Sequence, residues 1–238
     1  MTPAQAGELF GRNGLQLDIE TIGKLLEFER LLLAWNEKIN LVSRRDTSDV
    51  FTRQIVGSVS FLFGYKLAGS STILDVGTGG GLPGIPLAII HPDIRVTMID
   101  SIQKKMKAVT DIAGNLGLTN ARVLSGRVEE LDPAGLGKFG KFDYIVARGV
   151  SSASQIVGWC ARLLRKQPAG LKADPGTDTG PRKSIVPGSY ILLKGGDLKA
   201  ELASLSEIAG PASVTVRSLG VEGAKDQFTD KKIIIITP

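Results

Sequence analysis

The apolar positions change period near residue 66. Upstream, Leu25, Phe28, Leu32, Trp35 and Ile39 recur every three or four residues, the spacing that lays one apolar stripe along a helix. Asp18 stands where an N-cap belongs, its carboxylate able to take free N–H groups of a first turn, so a helix is predicted over about 18–39. Val50, Ile55, Val59 and Leu62 predict a second helix beginning after Ser43-Arg44-Arg45-Asp46. Residues 1–66 therefore read as a helical cap. Downstream, short apolar runs alternate with helix-length segments. Strands are predicted at 72–76, 95–100, 121–125, 142–148, 189–194, 213–220 and 231–237, and helices at 83–90, 101–117, 152–165 and 197–209. Such alternation demands right-handed crossovers and a largely parallel sheet. Only residues 220–229 separate the last two strands, too few for a crossover helix, so they should pair antiparallel across a long loop. The prediction is an α/β fold of seven strands, five parallel units plus a C-terminal hairpin, spanning 67–238 and forming one unit with the cap.

The most informative stretch runs Thr72-Ile-Leu-Asp-Val-Gly-Thr-Gly-Gly-Gly-Leu-Pro-Gly-Ile-Pro86. An apolar strand ends near Asp75, enters a glycine-dense turn and leaves it as a helix. That order places a nucleotide-like ligand at the carboxyl edge of a parallel sheet. Glycines let the backbone adopt positive φ and approach a ligand closely. Arg95-Val-Thr-Met-Ile-Asp100 ends a second strand in a carboxylate placed to take two ribose hydroxyls. The loop also contains Gly79-x-Gly81-x-x-Gly84, a form shared with NAD-binding sites. Asp75 two residues ahead of the first glycine, and Pro83 at a first-turn position, turn the reading toward S-adenosylmethionine. Asp75 could equally cap its own turn, and Asp100 the helix beginning at Ser101.

Composition narrows the classes. With 42% hydrophobic and 22% charged residues among 238, the chain has the make-up of a globular protein with a sizeable core. No apolar run approaches the ~20 residues of a membrane span, and the first residues carry no secretory pattern. One cysteine, Cys160, and one histidine, His91, cannot make an internal disulfide or the usual zinc site, and they fit a reducing cytoplasm. His91 falls at a helix end. A formal charge of +5 favours a polyanionic partner, although a lysine-rich solvated surface gives the same number. Residues 166–187 carry four prolines and no period and read as a long structureless loop. Lys166, Lys172, Arg182 and Lys183 would make it a basic flap if it has a role.

Further blocks sharpen the reading. Trp35-Asn-Glu-Lys-Ile-Asn-Leu-Val-Ser43 precedes the glycine loop. Asp100-Ser101 precedes a basic helix with Lys104, Lys105 and Lys107. Gly126-Arg-Val-Glu-Glu130, Phe142-Asp143, Val146-Ala-Arg148 and Leu193-Lys-Gly195 follow. Together, over about 25–238, the chain resembles the bacterial small-subunit (16S) ribosomal RNA guanine-N7 methyltransferases, formerly called glucose-inhibited division protein B. The resemblance implies a Rossmann-like class I methyltransferase fold, S-adenosyl-L-methionine as methyl donor, and small-subunit rRNA or the assembling 30S subunit as partner. It implies a monomer without membrane or metal. The cofactor residues it implies are Asp75, Gly77, Gly79 and Leu82 in the first turn, Asp100 and Ser101 at the ribose, Val128 and Glu129 beside the adenine, and Arg148 facing cofactor and target base. Arg44, Arg45, Arg53 and Lys194 are candidate RNA contacts, with Lys104, Lys105 and Lys199 behind them.

The chain departs from the family pattern after Arg53. Where that pattern usually shows His-Ile-Leu-Asp-Ser, this chain reads Gln54-Ile-Val-Gly-Ser58. No catalytic base is assigned, because guanine N7 carries a lone pair and no proton. Other readings remain open at this point: a different S-adenosylmethionine enzyme, an NAD-linked oxidoreductase, or an RNA-binding relative without activity.

Overall fold

The computed structural model describes residues 1–43, 49–134, 136, 141–166, 181–208 and 213–238, without the side chains of 206–208. Arg44, Arg45 and Lys172 lie outside the described residues. The strands are β1 (Tyr65–Lys66), β2 (Thr72–Val76), β3 (Arg95–Asp100), β4 (Ala121–Ser125), β5 (Tyr144–Arg148), β6 (Lys183–Ser184), β7 (Ser189–Gly195), β8 (Ser213–Ser218) and β9 (Lys231–Thr237). The helices are α1 (Pro3–Arg12), α2 (Ile19–Asn36), α3 (Gly57–Val59), α4 (Gly84–Ile90), α5 (Gln103–Asn115), α6 (Ala153–Cys160) and α7 (Lys199–Ile208).

All seven predicted strands form one sheet in the order β4-β3-β2-β5-β7-β9-β8. The first five run parallel, and β9 lies antiparallel to both β7 and β8. The chain winds from β2 outward through β3 and β4, then returns to lay β5 on the other side of β2. That reversal opens a crevice at the carboxyl ends of the strands, where such sheets bind ligands.

Both faces of the inner strands β2, β3, β5, β7 and β9 are covered, which explains their long buried runs, while the edge strands β4 and β8 stay open to solvent. In β9, Ile233 and Ile235 join the core shared with the cap, α4 and α5, while Ile234 and Ile236 join the core beneath α6. In β5, Tyr144 and Val146 face the first core, Ile145 and Ala147 the second. The cap shares the first core without interruption: Phe10, Phe28 and Phe51 are buried with Ile73, Met98 and Ile191.

Asp18 caps α2 as predicted, its Oδ1 accepting from Thr21 N at 2.7 Å. The helix stops at Asn36 rather than Ile39, because the Asn36 side-chain oxygen accepts from Leu41 N and Val42 N and turns the chain. His91 is the C-cap of α4, as expected. The second cap helix changes pitch, a π-turn over Phe51–Val56 leading into α3 and a 3₁₀ turn over Ser60–Phe63.

Three features depart from the sequence reading. Helix α1 was not predicted, although Thr2 and Gln5 form a reciprocal capping box around it. The stretch read as structureless over 166–187 contains β6, which pairs in parallel with β1. Helix α6 ends at Cys160 rather than near 165, because Phe142 bridges Leu164 and pulls the following residues alongside the sheet.

Candidate functional site

The glycine loop is held from three sides. Gly77 N and Thr78 N both donate to Ile99 O, at 2.8 and 3.1 Å, so the loop folds across the end of β3. Beneath it, Leu32 and Leu41 press on Gly80. The Trp35-Asn36 block supplies that support: Asn36 fixes Leu41, and Trp35 Nε1 donates to Asp111 Oδ2 at 2.8 Å, joining α2 to α5. At the start of α4, a Cβ on Gly84 would lie 2.3 Å from Met98 Cγ and 2.8 Å from Asp75 Oδ2. Only a residue without a side chain fits there.

Asp75 is fully buried. Its Oδ2 accepts from Thr78 Oγ1 at 2.6 Å and Gly84 N at 2.8 Å. Burial pushes the carboxyl up to about 7; the Thr78 and Gly84 bonds and the Arg148 charge work against that rise, and Asp100 adds to it. The expectation that Asp75 touches the cofactor is therefore corrected: its carboxylate braces the turn from inside. The Leu82 side chain is buried in the core shared with the cap, so any part it takes at the cofactor falls to its backbone. Gly79 acts through its N–H, which donates to Asp100 Oδ2 at 3.0 Å.

The ends of β2, β3 and β4 enclose a crevice of about 180 Å³ whose walls include Gly77, Asp100, Ser101, Val128 and Glu129. The sequence named all five. Asp100 Oδ1 accepts from Ile102 N at 2.9 Å and Oδ2 from Gly79 N, so it braces the loops, while Ile102 and not Asp100 is the N-cap of α5. Each carboxylate oxygen retains acceptor capacity, and the half-buried group faces the crevice. Val128 and Glu129 open a 3₁₀ turn, whose first N–H groups have no acceptor within the turn. Val150 closes one side, so near Gly77 that a Cβ there would meet its Cγ2 at 2.4 Å.

A larger cavity of about 780 Å³ opens at the ends of β5 and β7. Arg148 lines this cavity rather than the crevice. Its guanidinium donates to Gln54 Oε1 at 2.6 Å and Gln54 O at 3.2 Å, binding β5 to the cap. Gly57, the other departure from the family pattern, lies under Phe228: a Cβ there would meet the ring at 2.8 Å. The ring thus fills space a longer side chain at 57 would need. Arg53 is exposed on the rim. Lys194 is not a free phosphate contact as expected, because its Nζ sits 2.6 Å from Glu201 Oε1 with side chains only 11% and 17% exposed. Sequence reasoning missed Glu201, Phe228 and Val150, which no local motif marks.

The crevice suits the nucleoside part of S-adenosylmethionine. Asp100 offers acceptors for ribose hydroxyls, the turn at Val128–Glu130 offers backbone donors beside an apolar wall of Ile99 and Val128, and the bare Gly77 leaves the loop backbone open. Among the described residues, no helix is long and apolar enough to cross a membrane.

Comparison with known proteins agrees. A family model described as GidB, rRNA small subunit methyltransferase G, matches residues 21–172. The protein named ribosomal RNA small subunit methyltransferase G from Christiangramia forsetii is 38% identical, over 91% of this chain and 90% of its own. Its namesake from Flavobacterium johnsoniae is 35% identical over 95% and 93%. Among solved structures, a fibrillarin/Nop5p complex aligns with a TM-score of 0.53 at 14% identity, covering 77% of this chain and 79% of that one. A SAM-dependent methyltransferase from Aquifex aeolicus aligns with a TM-score of 0.50 at 15% identity, covering 82% and 96%. These two likenesses establish the Rossmann-like methyltransferase fold. By its family match and by relatives spanning nearly its whole length, the chain belongs to the GidB family of small-subunit ribosomal RNA methyltransferases.

Proposed function

We propose that this chain methylates N7 of a guanine in small-subunit ribosomal RNA, holding S-adenosylmethionine in the crevice and the guanine in the larger cavity. One observation carries the reading: the two spaces lie on the carboxyl edge and are lined by consecutive residues, Gly149 in the cavity and Val150 in the crevice. When bound, S-adenosylmethionine supplies an electrophilic methyl on a sulfonium. The N7 lone pair forms the new C–N bond as the C–S bond breaks, the positive charge passes to the base, and no proton moves.

The protein's task is then alignment, which can contribute ~7–11 kcal/mol. Asp100 fixes the ribose, with Ser101 beside it. Backbone N–H groups at Val128 and Glu129 read the adenine edge, and Gly77 lets the donor lie against the loop. Arg148, fixed by Gln54, orients the base from the cavity side. Arg53 on the rim and the exposed Lys104 and Lys107 of α5 meet phosphates as the guanine is turned out of its strand. In this reading the chain acts as a monomer in the cytoplasm, on naked rRNA or an assembling subunit.

The test is transfer of labelled methyl to small subunits lacking N7 methylation, followed by mapping of the product. The reading expects one 7-methylguanine in small-subunit rRNA. Label at another atom, or none with intact cofactor binding, overturns it.

A further inference from the structure

The wall between crevice and cavity is anchored by two groups the proposed reaction does not use directly. Lys194 is the penultimate residue of β7 and Glu201 lies in the first turn of α7, and their ion pair is largely shielded from solvent. Each also grips the segment that forms the wall. Lys194 Nζ donates to Ser151 O, and Ala153 N donates to Glu201 Oε1. Residues 149–153 are thereby pinned at two backbone points just beyond Arg148. Gly149, with φ +63°, turns the chain so that Val150 leans onto Gly77.

We propose that Lys194 and Glu201 are positioning residues for methyl transfer: by anchoring residues 149–153 they set Val150, the partition past which donor and base must meet. The inference rests on the assignment of the two spaces above. It also replaces the reading of Lys194 as a phosphate contact. Its charge is paired with Glu201, and a second of its three donors goes to Ser151 O in the loop.

The two roles give different measurements. In single-turnover transfer, Lys194→Met and Glu201→Gln should each slow the methyl step by about 30- to 100-fold, the scale of a misplacement near 1 Å, while RNA affinity changes less than twofold. Val150→Gly, on an exposed loop, should give a similar loss, and Lys194→Met/Val150→Gly should be little worse than either alone, as for residues acting through one element. The salt dependence of RNA binding should be unchanged in Lys194→Met. Where a single variant does not fold, Lys194→Met/Glu201→Met removes both charges together and leaves no lone buried ion. A salt slope reduced by about 0.7, the signature of a lost phosphate contact on single-stranded RNA, or losses that multiply in the double variant, would overturn the anchor. If the wild-type protein transfers no methyl to N7, the proposed function falls, and the anchor is judged by amide exchange. Residues 150–153 should then exchange at least tenfold faster in the Lys194 and Glu201 variants, and unchanged exchange would dismiss it.

Discussion

Along β2, β3 and β4 the carboxyl edge is built from residues close to one another in sequence. Gly77 and Gly79 follow β2, Asp100 and Ser101 end β3, and Val128 and Glu129 follow β4. Along β5 and β7 the same edge is assembled from distant parts: Gln54 from the cap, Arg148 from β5, Lys194 from β7, Glu201 from α7 and Phe228 from the connection between β8 and β9. The crevice is shaped by backbone and short side chains, and the cavity by long side chains held through pairing. A site of the first kind is fixed once its strands pair. One of the second kind depends on pairing between separate elements, such as Gln54 with Arg148, 94 residues apart, and Phe228 over Gly57.

Asp75 offers the largest effect on the backbone-built side. Its folded carboxyl, near 7 against an ordinary 3.8, holds its proton more tightly than the unfolded chain's does. The stability it contributes is complete below pH 4, falls as pH rises from about 4 to about 7, and is level above. The span is about 4 kcal/mol. Asp75→Asn keeps an acceptor for Thr78 and Gly84 and should flatten that decline in denaturant unfolding at pH 4.5 and 7.5; an undiminished slope would place its origin elsewhere. Gly84→Ala forces a methyl against Met98 and Asp75. It should cost about 3 kcal/mol and lower the melting temperature by about 6–12 °C. A neutral result would mean the start of α4 can shift.

The assembled side should answer in activity instead. Gln54→Ala removes the carboxamide that orients Arg148 and should lower methyl transfer about tenfold, equivalent to one charged hydrogen bond, with melting nearly unchanged. A large loss of stability would make the Arg148–Gln54 pair a structural tie instead. Cys160 serves as the quiet control: buried, with its thiol pushed up to about 12 by desolvation, it should resist thiol reagents until the protein unfolds.

How much of this the sequence revealed follows the same division. The strands were legible because apolar runs bounded by turns specify them locally, and the crevice residues because they sit at strand ends next to glycines. Helix α1 was overlooked though Thr2 and Gln5 carried its capping signal. β1 and β6 were illegible, since a two-residue strand has no period. Asp75 was placed at the cofactor because the sequence shows the order of residues in a turn but not which side chains point inward. Lys194 was misread for a related reason: its partner Glu201 lies on a different element, and a lysine at a strand end looks the same paired or free.

The central claim is that donor and base occupy separate spaces, and calorimetric titration of S-adenosylhomocysteine into Asp100→Ala and Arg148→Ala tests it most directly. Loss of the Asp100 carboxylate should weaken binding about 100-fold, as two charge-assisted hydrogen bonds disappear. Arg148→Ala should bind within about threefold of wild type while methyl transfer collapses. Full affinity in Asp100→Ala, with binding lost in Arg148→Ala, would contradict the assignment.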